Sequence, residues 1–408
     1  MNILSIGHSQ SGGGLQTVFR ISNKIYDKDI NIITAFKSDK ENKADIELKR
    51  IKDYNNIFAK IVGYFFIGKN YHSIKEVLIK NDVDIIHLHS TTGLSLSLLF
   101  ALRKYKKDSK LIFSSHGYGL VCPNYSCYNY SQNKICTECV FKGKESRVIF
   151  KKCDKRGYVY SFLRYLDFRL QNLVTKNNKM FDTVITPSNY LKSLLENSKH
   201  NFKDIQIISN PIESIGNNNI FKENIISYVG RFSKEKNVDL LIKSFSELIQ
   251  IDGYENVKLQ VLGSGSELNN YKKIIKELSI ENRVFISDKF LNKEELENKL
   301  KHSKIMVLPT GSPETFGLVI FEGIKYNMIP VTYNIGAQFE NIKKLNVGEI
   351  FTEMNSTNIL KSLIQALEKY DYSHQRLQKA NTLIDKKYSV EEYHNNLKKL
   401  YKNVLQVH

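Results

Sequence analysis

Residues 304–323 read KIMVLPTGSPETFGLVIFEG. The apolar run Lys304–Leu308 has the length and β-branched content of a buried strand. Pro309-Thr310-Gly311-Ser312-Pro313 breaks it, and Phe316–Tyr326 then resumes with helical spacing. The same strand–loop–helix unit recurs on both sides. Upstream lie strands Ile225–Val229, Val257–Leu262 and Arg283–Ile286, with helices Val238–Ile249 and Glu267–Leu278; downstream lies strand Ile329–Tyr333. Strands alternating with helices imply a parallel sheet covered on both faces.

The first half has the same rhythm. Asn2–Ile6, Ile30–Ala35, Ile85–His89, Lys110–Ser115, Thr183–Thr186 and Ile205–Ser209 read as strands, and Leu15–Tyr26, His72–Lys80 and Leu94–Tyr105 as helices. Asn210-Pro211 and the polar run Asn217–Asn219 interrupt the pattern, and 408 residues exceed one ordinary core. The expectation is an α/β chain of two doubly wound, Rossmann-like domains over 1–210 and 211–385. A charged helix, Val390–Leu405, lies in the tail 386–408. Two such sheets facing each other would gather strand C-termini around one crevice, the usual ligand edge.

Hydrophobic residues make up 41% and charged residues 25%, a balance that excludes a disordered chain. No run of eighteen apolar residues occurs, and the start reads as a strand rather than a signal peptide, so a cytoplasmic location is expected. The formal charge is +18, of which residues 1–210 carry +15, with 33 Lys+Arg against 18 Asp+Glu. That asymmetry points to an anionic partner for the first half, or to a solvated surface in a Lys-rich chain.

Three segments carry candidate chemistry. Gly12-Gly13-Gly14 follows the first strand and opens a helix, where backbone amides can approach a phosphate; a simple tight turn is the other reading. Arg231 and Lys236, in Gly230-Arg231-Phe232-Ser233-Lys234-Glu235-Lys236, leave a strand end and enter a helix start. A guanidinium can fork onto a diphosphate while an ammonium adds a point charge, although surface ion pairing also suits such residues. Glu314 precedes the Phe316–Tyr326 helix and Glu322 lies about two turns inside it, while Thr315, Phe316, Gly317 and Leu318 offer N-terminal amides to a diphosphate. Helix-dipole and solvated-face roles would also account for the two glutamates.

In order, these segments resemble the retaining GT-B glycosyltransferases of family 4. The resemblance runs through Gly12–Gly14, a strand leading to His116, Pro187-Ser188-Asn189, Asn210-Pro211, Gly-Arg-x4-Lys, Gly263-Ser264-Gly265 and Glu-x7-Glu. It implies two Rossmann-like domains facing across a cleft, with a nucleoside-diphosphate sugar as donor. Arg231 and Lys236 would hold the diphosphate, Glu314 the transferred sugar and Glu322 the ribose. Gly13 and Gly14 would approach the phosphate, Gly263 the base, and His116 the anomeric carbon. Family habit suggests a lipid-linked saccharide acceptor in bacterial surface polysaccharide assembly, at the inner face of the plasma membrane; a soluble sugar or sugar phosphate is the alternative. The chain departs from the pattern at Ser287-Asp288, where the family commonly has Gly.

Two features lie outside that order. Cys122, Cys127, Cys136, Cys139 and Cys153 fall in one insert, 117–156, and four of them could hold a structural zinc or remain buried free thiols. A catalytic metal is not expected, because the resemblance implies chemistry that needs none to ionise a nucleophile. Residues 101–180 carry a net +12, and in Lys151–Lys179 Tyr158, Val159, Phe162, Leu163, Leu166, Phe168 and Leu170 interleave with Arg156, Arg164 and Arg169. That stretch reads as an interfacial helix docking on anionic lipid, or as a core helix with snorkelling cations. A nucleic-acid partner is not expected, since no recognition-helix, RRM or KH signature is present.

Overall fold

The computed structural model describes residues 1–10, 14–91, 93–214, 221–289 and 291–406. Gly12 and Gly13 of the glycine-rich loop, and the run Asn217–Asn219, lie outside the described residues. The chain divides into two compact units. One comprises Met1–Ser131, Cys136–Pro211 and Val390–His408, the other Gln132–Ile135 and Ile212–Ser389.

The first unit is built on β1 (Asn2–Ile6), β2 (Asn31–Phe36), β3 (Ile46–Glu47), β4 (Ile85–Leu88) and β5 (Lys110–Ser114). The short β6 (Tyr128–Asn129) and β7 (Lys134–Ile135) fall in the cysteine-bearing insert, and β8 (Thr183–Thr186) and β9 (Ile205–Ile207) complete the sheet. Its order is β3-β2-β1-β4-β5-β8-β9, parallel throughout. Buried aliphatics such as Leu4, Ile6, Ile86, Leu88 and Leu111 form the core on one face. Ile3, Ile85, Ile112 and Ile185 point to the other face, as the two-residue period of a strand requires. The C-terminal helix Val390–Gln406 covers this second face with Tyr393, Leu397, Leu400, Tyr401 and Val404.

The second unit has β10 (Glu223–Arg231), β11 (Lys258–Ser264), β12 (Val284–Ile286), β13 (Ser303–Leu308), β14 (Ile329–Tyr333) and β15 (Glu349–Phe351). The order β12-β11-β10-β13-β14-β15 is again parallel. Chain direction across the sheet reverses between β10 and β13, so the loops leaving these two strands splay apart and open a crevice. In the first unit the reversal lies between β1 and β4.

Several boundaries shift from the sequence reading. The first helix is Leu15–Ser22 and stops short of Tyr26; its N-cap is Gly14, at φ 57°. The helix expected at Phe316–Tyr326 is Leu318–Lys325. Gly317 sits at φ 79°, a left-handed conformation that keeps Thr315 and Phe316 in the loop ahead of the helix. Burial supplies the reason, because the Phe316 ring stacks on Phe321 at 4.7 Å and is pinned in the core.

Candidate functional site

At the reversal point of the second unit, β10 ends in Arg231 and β13 in Leu308. The two following loops are tied by backbone, since the Gly311 N–H donates to the Glu235 carbonyl at 2.8 Å. Glu235 is buried; its carboxylate accepts from Ser233 Oγ at 2.8 Å and from the Arg231 guanidinium at 3.4 Å. Arg231 otherwise reaches outward, with 72% of its side chain exposed. Lys236 is more enclosed, and its ammonium forms an ion pair with the Glu314 carboxylate. The two residues lie 78 positions apart in sequence, and the sheet topology alone brings them together.

The backbone of Glu314 is held from the next helix. Its N–H donates to Gln338 Oε1 at 2.8 Å and its carbonyl accepts from the Ala337 N–H at 2.9 Å. A short loop then leads to the helix at Leu318. The first turn of a helix leaves amides without intrahelical partners, and here they belong to Gly317, Leu318 and Val319. The expected cradle over Thr315–Leu318 is therefore corrected: Gly317 and Leu318 stand at the helix start, and Thr315 and Phe316 precede it. Glu322 is the fifth residue of the helix, about one turn inside rather than two. Burial is the main influence on its carboxyl and pushes it above the ordinary carboxylate range. Neighbouring Glu213 adds to that rise and Lys293 opposes it. Lys293 is itself paired to Glu213 at 3.3 Å.

Gly263 is the penultimate residue of β11 and lies opposite Gly230 of β10. A Cβ at Gly263 would lie 1.9 Å from the Gly230 carbonyl oxygen, and the residue sits at φ 150°. The glycine is thus required by the packing of two backbones, whatever else it serves. Ser287, where the family resemblance fails, has its hydroxyl on both the N–H and the C=O of Gly263 at 2.7 Å. That buried hydroxyl pins the loop, a purpose the sequence did not disclose.

In the first unit, His116 follows β5. Its ring stacks over His89 at 6.1 Å, and His89 contacts His87 at 3.9 Å. His87 spans Ser114 Oγ at 2.8 Å and the Tyr401 hydroxyl at 2.7 Å. Burial holds His116 down to about 4 and His87 to about 3, so both are neutral at neutral pH. The Asn210 side chain partly offsets the effect of burial on His116. Sequence reasoning read Asn210-Pro211 as a break in the pattern and as one motif of the resemblance, gave Asn210 no role beside His116, and missed the His87–His89 stack. The signal for the stack was present, since His87 and His89 share one face of a strand by their spacing. Ser188 is a helix N-cap, accepting from the Leu191 N–H at 3.2 Å.

Cys122, Cys127, Cys136, Cys139 and Cys153 are the residues for which the sequence offers a structural zinc or free thiols. Among the described residues no group of three or more His, Cys, Asp or Glu is arranged to hold a metal ion. All five are free thiols, and only Cys136 is not buried. A hydrogen bond from Cys127 lowers Cys122 to about 7, whereas burial raises Cys153 to about 12 and Cys139 further. The donor set has the composition of a metal site without its geometry. In the basic stretch, the helix Tyr158–Val174 buries Phe168, leaves Leu163, Leu166 and Leu170 half-buried, and exposes Tyr158, Val159 and Phe162. No helix among the described residues is long and apolar enough to cross a membrane.

Residues 212–403 match the family model of glycosyl transferases group 1, and residues 12–214 match that of glycosyltransferase family 4. The chain belongs to the GT-B glycosyltransferases. Its fold agrees: a crystal structure of Anabaena HepE in complex with UDP superposes with a TM-score of 0.69 at 13% identity, over 99% of this chain and 100% of that one. Among curated relatives, N-acetyl-alpha-D-glucosaminyl L-malate synthase of Bacillus anthracis is 23% identical over 185 residues, 45% of this transferase and 46% of the relative. A Campylobacter jejuni N-acetylgalactosamine-N,N'-diacetylbacillosaminyl-diphospho-undecaprenol 4-alpha-N-acetylgalactosaminyltransferase is 27% identical over 209 residues, 47% and 51% of the two chains. The transferase thus spans about half the length of the curated relatives it matches.

Proposed function

We propose that this transferase moves a sugar from a nucleoside diphosphate donor to an acceptor hydroxyl with retention of anomeric configuration. The observation that carries the reading is the Lys236–Glu314 ion pair at the reversal point of the second sheet, beside Arg231 and a helix N-terminus. The acceptor oxygen bonds to the anomeric carbon as the bond to the diphosphate oxygen breaks, and the acceptor proton passes to the leaving phosphate. Negative charge grows on that phosphate, so cations and helix amides aimed at it lower the barrier. Arg231, Lys236 and the amides of Gly317 and Leu318 take this role. Glu314 binds hydroxyls of the transferred sugar, and Glu322 the ribose. The resemblance assigns Gly14 to the phosphate, Gly263 to the base, and His116, a neutral imidazole, to the reacting sugar. The UDP in the HepE complex makes a uridine diphosphate sugar the first donor to test. The diphospho-undecaprenol in the Campylobacter relative's name supports a lipid-linked saccharide acceptor, in surface polysaccharide assembly at the inner face of the plasma membrane.

Without ligand, Glu314 offsets the charge of Lys236. Glu314→Gln should therefore keep or tighten uridine diphosphate binding while transfer falls by roughly a hundredfold, since the sugar contact acts in the transition state. Lys236→Ala should weaken the same binding by about 1.5–3 kcal/mol. Calorimetry and a transfer assay check both. Unchanged affinity in Lys236→Ala, or a Glu314→Gln protein that loses diphosphate and keeps turnover, removes the assignment.

A further inference from the structure

The first unit holds a cavity of about 320 Å³ with no part in the donor chemistry above. Its walls come from the loops after β1 and β3, from helix Ile57–Phe65, and from helix Tyr158–Val174. Five cations line it: Arg50, Lys52, Lys60, Arg156 and Arg164. Two carboxylates offset part of that charge. Arg50 forks onto Asp53 at 3.0 and 3.1 Å, and Arg156 and Arg164 share Asp154 at 2.7 and 3.6 Å. The lining carboxylate, Asp167, is engaged by the Tyr125 hydroxyl at 2.6 Å and Gln171 at 2.9 Å, and burial raises its carboxyl. Lys52 and Lys60 remain, and among the described residues neither has an ion-pair partner. The pocket therefore presents two unpaired ammonium groups, and a guanidinium pair that shares one carboxylate, beside fixed tyrosine surfaces. Arg156 lies over Tyr160 at 4.0 Å, and Arg164 over Tyr125 at 4.4 Å.

The same two helices are apolar where they face water. Phe58 is 71% and Val159 70% exposed, and Ile61, Val62, Tyr158 and Phe162 are exposed with them. Helical spacing puts Phe58 next to the pocket-lining Ile61, Ile61 next to Tyr64, and Val159 next to the lining Leu163. A cationic pocket rimmed by exposed aromatic and aliphatic side chains is complementary to an amphiphile with an anionic head. Neither a soluble anion nor a neutral lipid would use both parts.

We infer that this pocket and rim seat a lipid-anchored phosphate at a bilayer surface, with the phosphate head between Lys52 and Lys60 and the chain leaving along Phe58, Ile61, Val159 and Phe162. The inference deepens the lipid-linked acceptor reading and rests on it. It locates the acceptor's anchor on the first unit and gives the basic excess of residues 101–180 a partner only in part, because Asp154 offsets one of the two arginine charges there.

The test is flotation of the full chain with phosphatidylcholine vesicles carrying a long-chain polyprenyl phosphate, or the same mole fraction of phosphatidylglycerol, or neither. The wild type should bind the polyprenyl phosphate vesicles best, a comparison that needs no substitution. Lys52→Glu with Lys60→Glu should reduce that binding by roughly tenfold or more, as reversing two surface-near charges predicts. Phe58→Ser with Val159→Ser should reduce binding to both anionic vesicles, and Lys243→Glu, remote in the second unit, should leave it unchanged. Equal binding to the two anionic lipids with the lysine pair indifferent overturns the inference, as does no binding to any vesicle. Uridine diphosphate affinity is measured on the same samples. If it persists while vesicle binding is absent, the pocket assignment falls and the donor reading stands; if it is absent from the wild type, the donor reading has failed by itself.

Discussion

Single residues here are set by competing demands on burial and charge. Glu322 is the clearest case. Its carboxyl is enclosed and faces Glu213, so it holds its proton more tightly in the folded chain than in the unfolded one. A raised folded value means that stability is fully present below the unfolded carboxylate value, about 4.3, and is lost as pH rises through the folded value. Urea unfolding across that range should thus show a fall in stability with rising pH that Glu322→Gln abolishes, the variant being the more stable above the window and equal below it. Parallel pH profiles for the two proteins would mean that the Glu213–Glu322 repulsion is relieved by solvent. The glutamates were legible in the sequence as a pair with fixed spacing. Their environments were not, because Glu213 stands 109 positions from Glu322 in the chain and only the fold brings it near.

At the scale of elements, the C-terminal helix Val390–Gln406 stands out. It follows the second unit in sequence and belongs to the first in space. Five buried side chains, Tyr393, Leu397, Leu400, Tyr401 and Val404, close the face of the first sheet. His394 pairs with the Ile21 carbonyl at 2.8 Å, and Tyr401 with His87 at 2.7 Å. At about 1.5–3 kcal/mol per buried side chain, the helix contributes on the order of 10 kcal/mol, similar to the whole stability of a domain. Removing residues 390–408 should leave the first unit unfolded by circular dichroism. Tyr401→Phe, which strands one nitrogen of a buried histidine, should cost about 1–3 kcal/mol in urea unfolding. A truncated chain with native spectra and an unshifted midpoint would show that the helix only decorates the sheet. The amphipathic spacing of this helix was readable from sequence, but the face it covers was not, since the apolar stripe fits either sheet equally well.

For the molecule as a whole, each unit has its own core, and the donor contacts proposed above for Arg231, Lys236, Glu314 and Glu322 fall in the second. A ligand that binds only the folded form of one unit stabilises that unit, by about 2.7 kcal/mol at a hundredfold its dissociation constant. Calorimetry should resolve two transitions, with uridine diphosphate raising only the one that loses its response in Lys236→Ala, and Leu397→Ala lowering only the other. A single transition that moves as one would mean that the units unfold together and that no two-domain account of stability applies.

The sequence by itself determined the element types and the parallel sheets, because period-two and period-3.6 patterns are local properties that a chain carries wherever it folds. It also placed Arg231, Lys236, Gly317 and Leu318 at strand-to-helix junctions, which any doubly wound sheet turns to one edge. Only the tertiary structure decided the rest. Pairing Lys236 with Glu314 needed the order β10-β13, reading Gly263 as a backbone contact needed the adjacent strand end, and starting the helix at Leu318 needed the core that holds the Phe316 ring. Each depends on atoms far apart in the chain, and no local pattern encodes how such atoms meet.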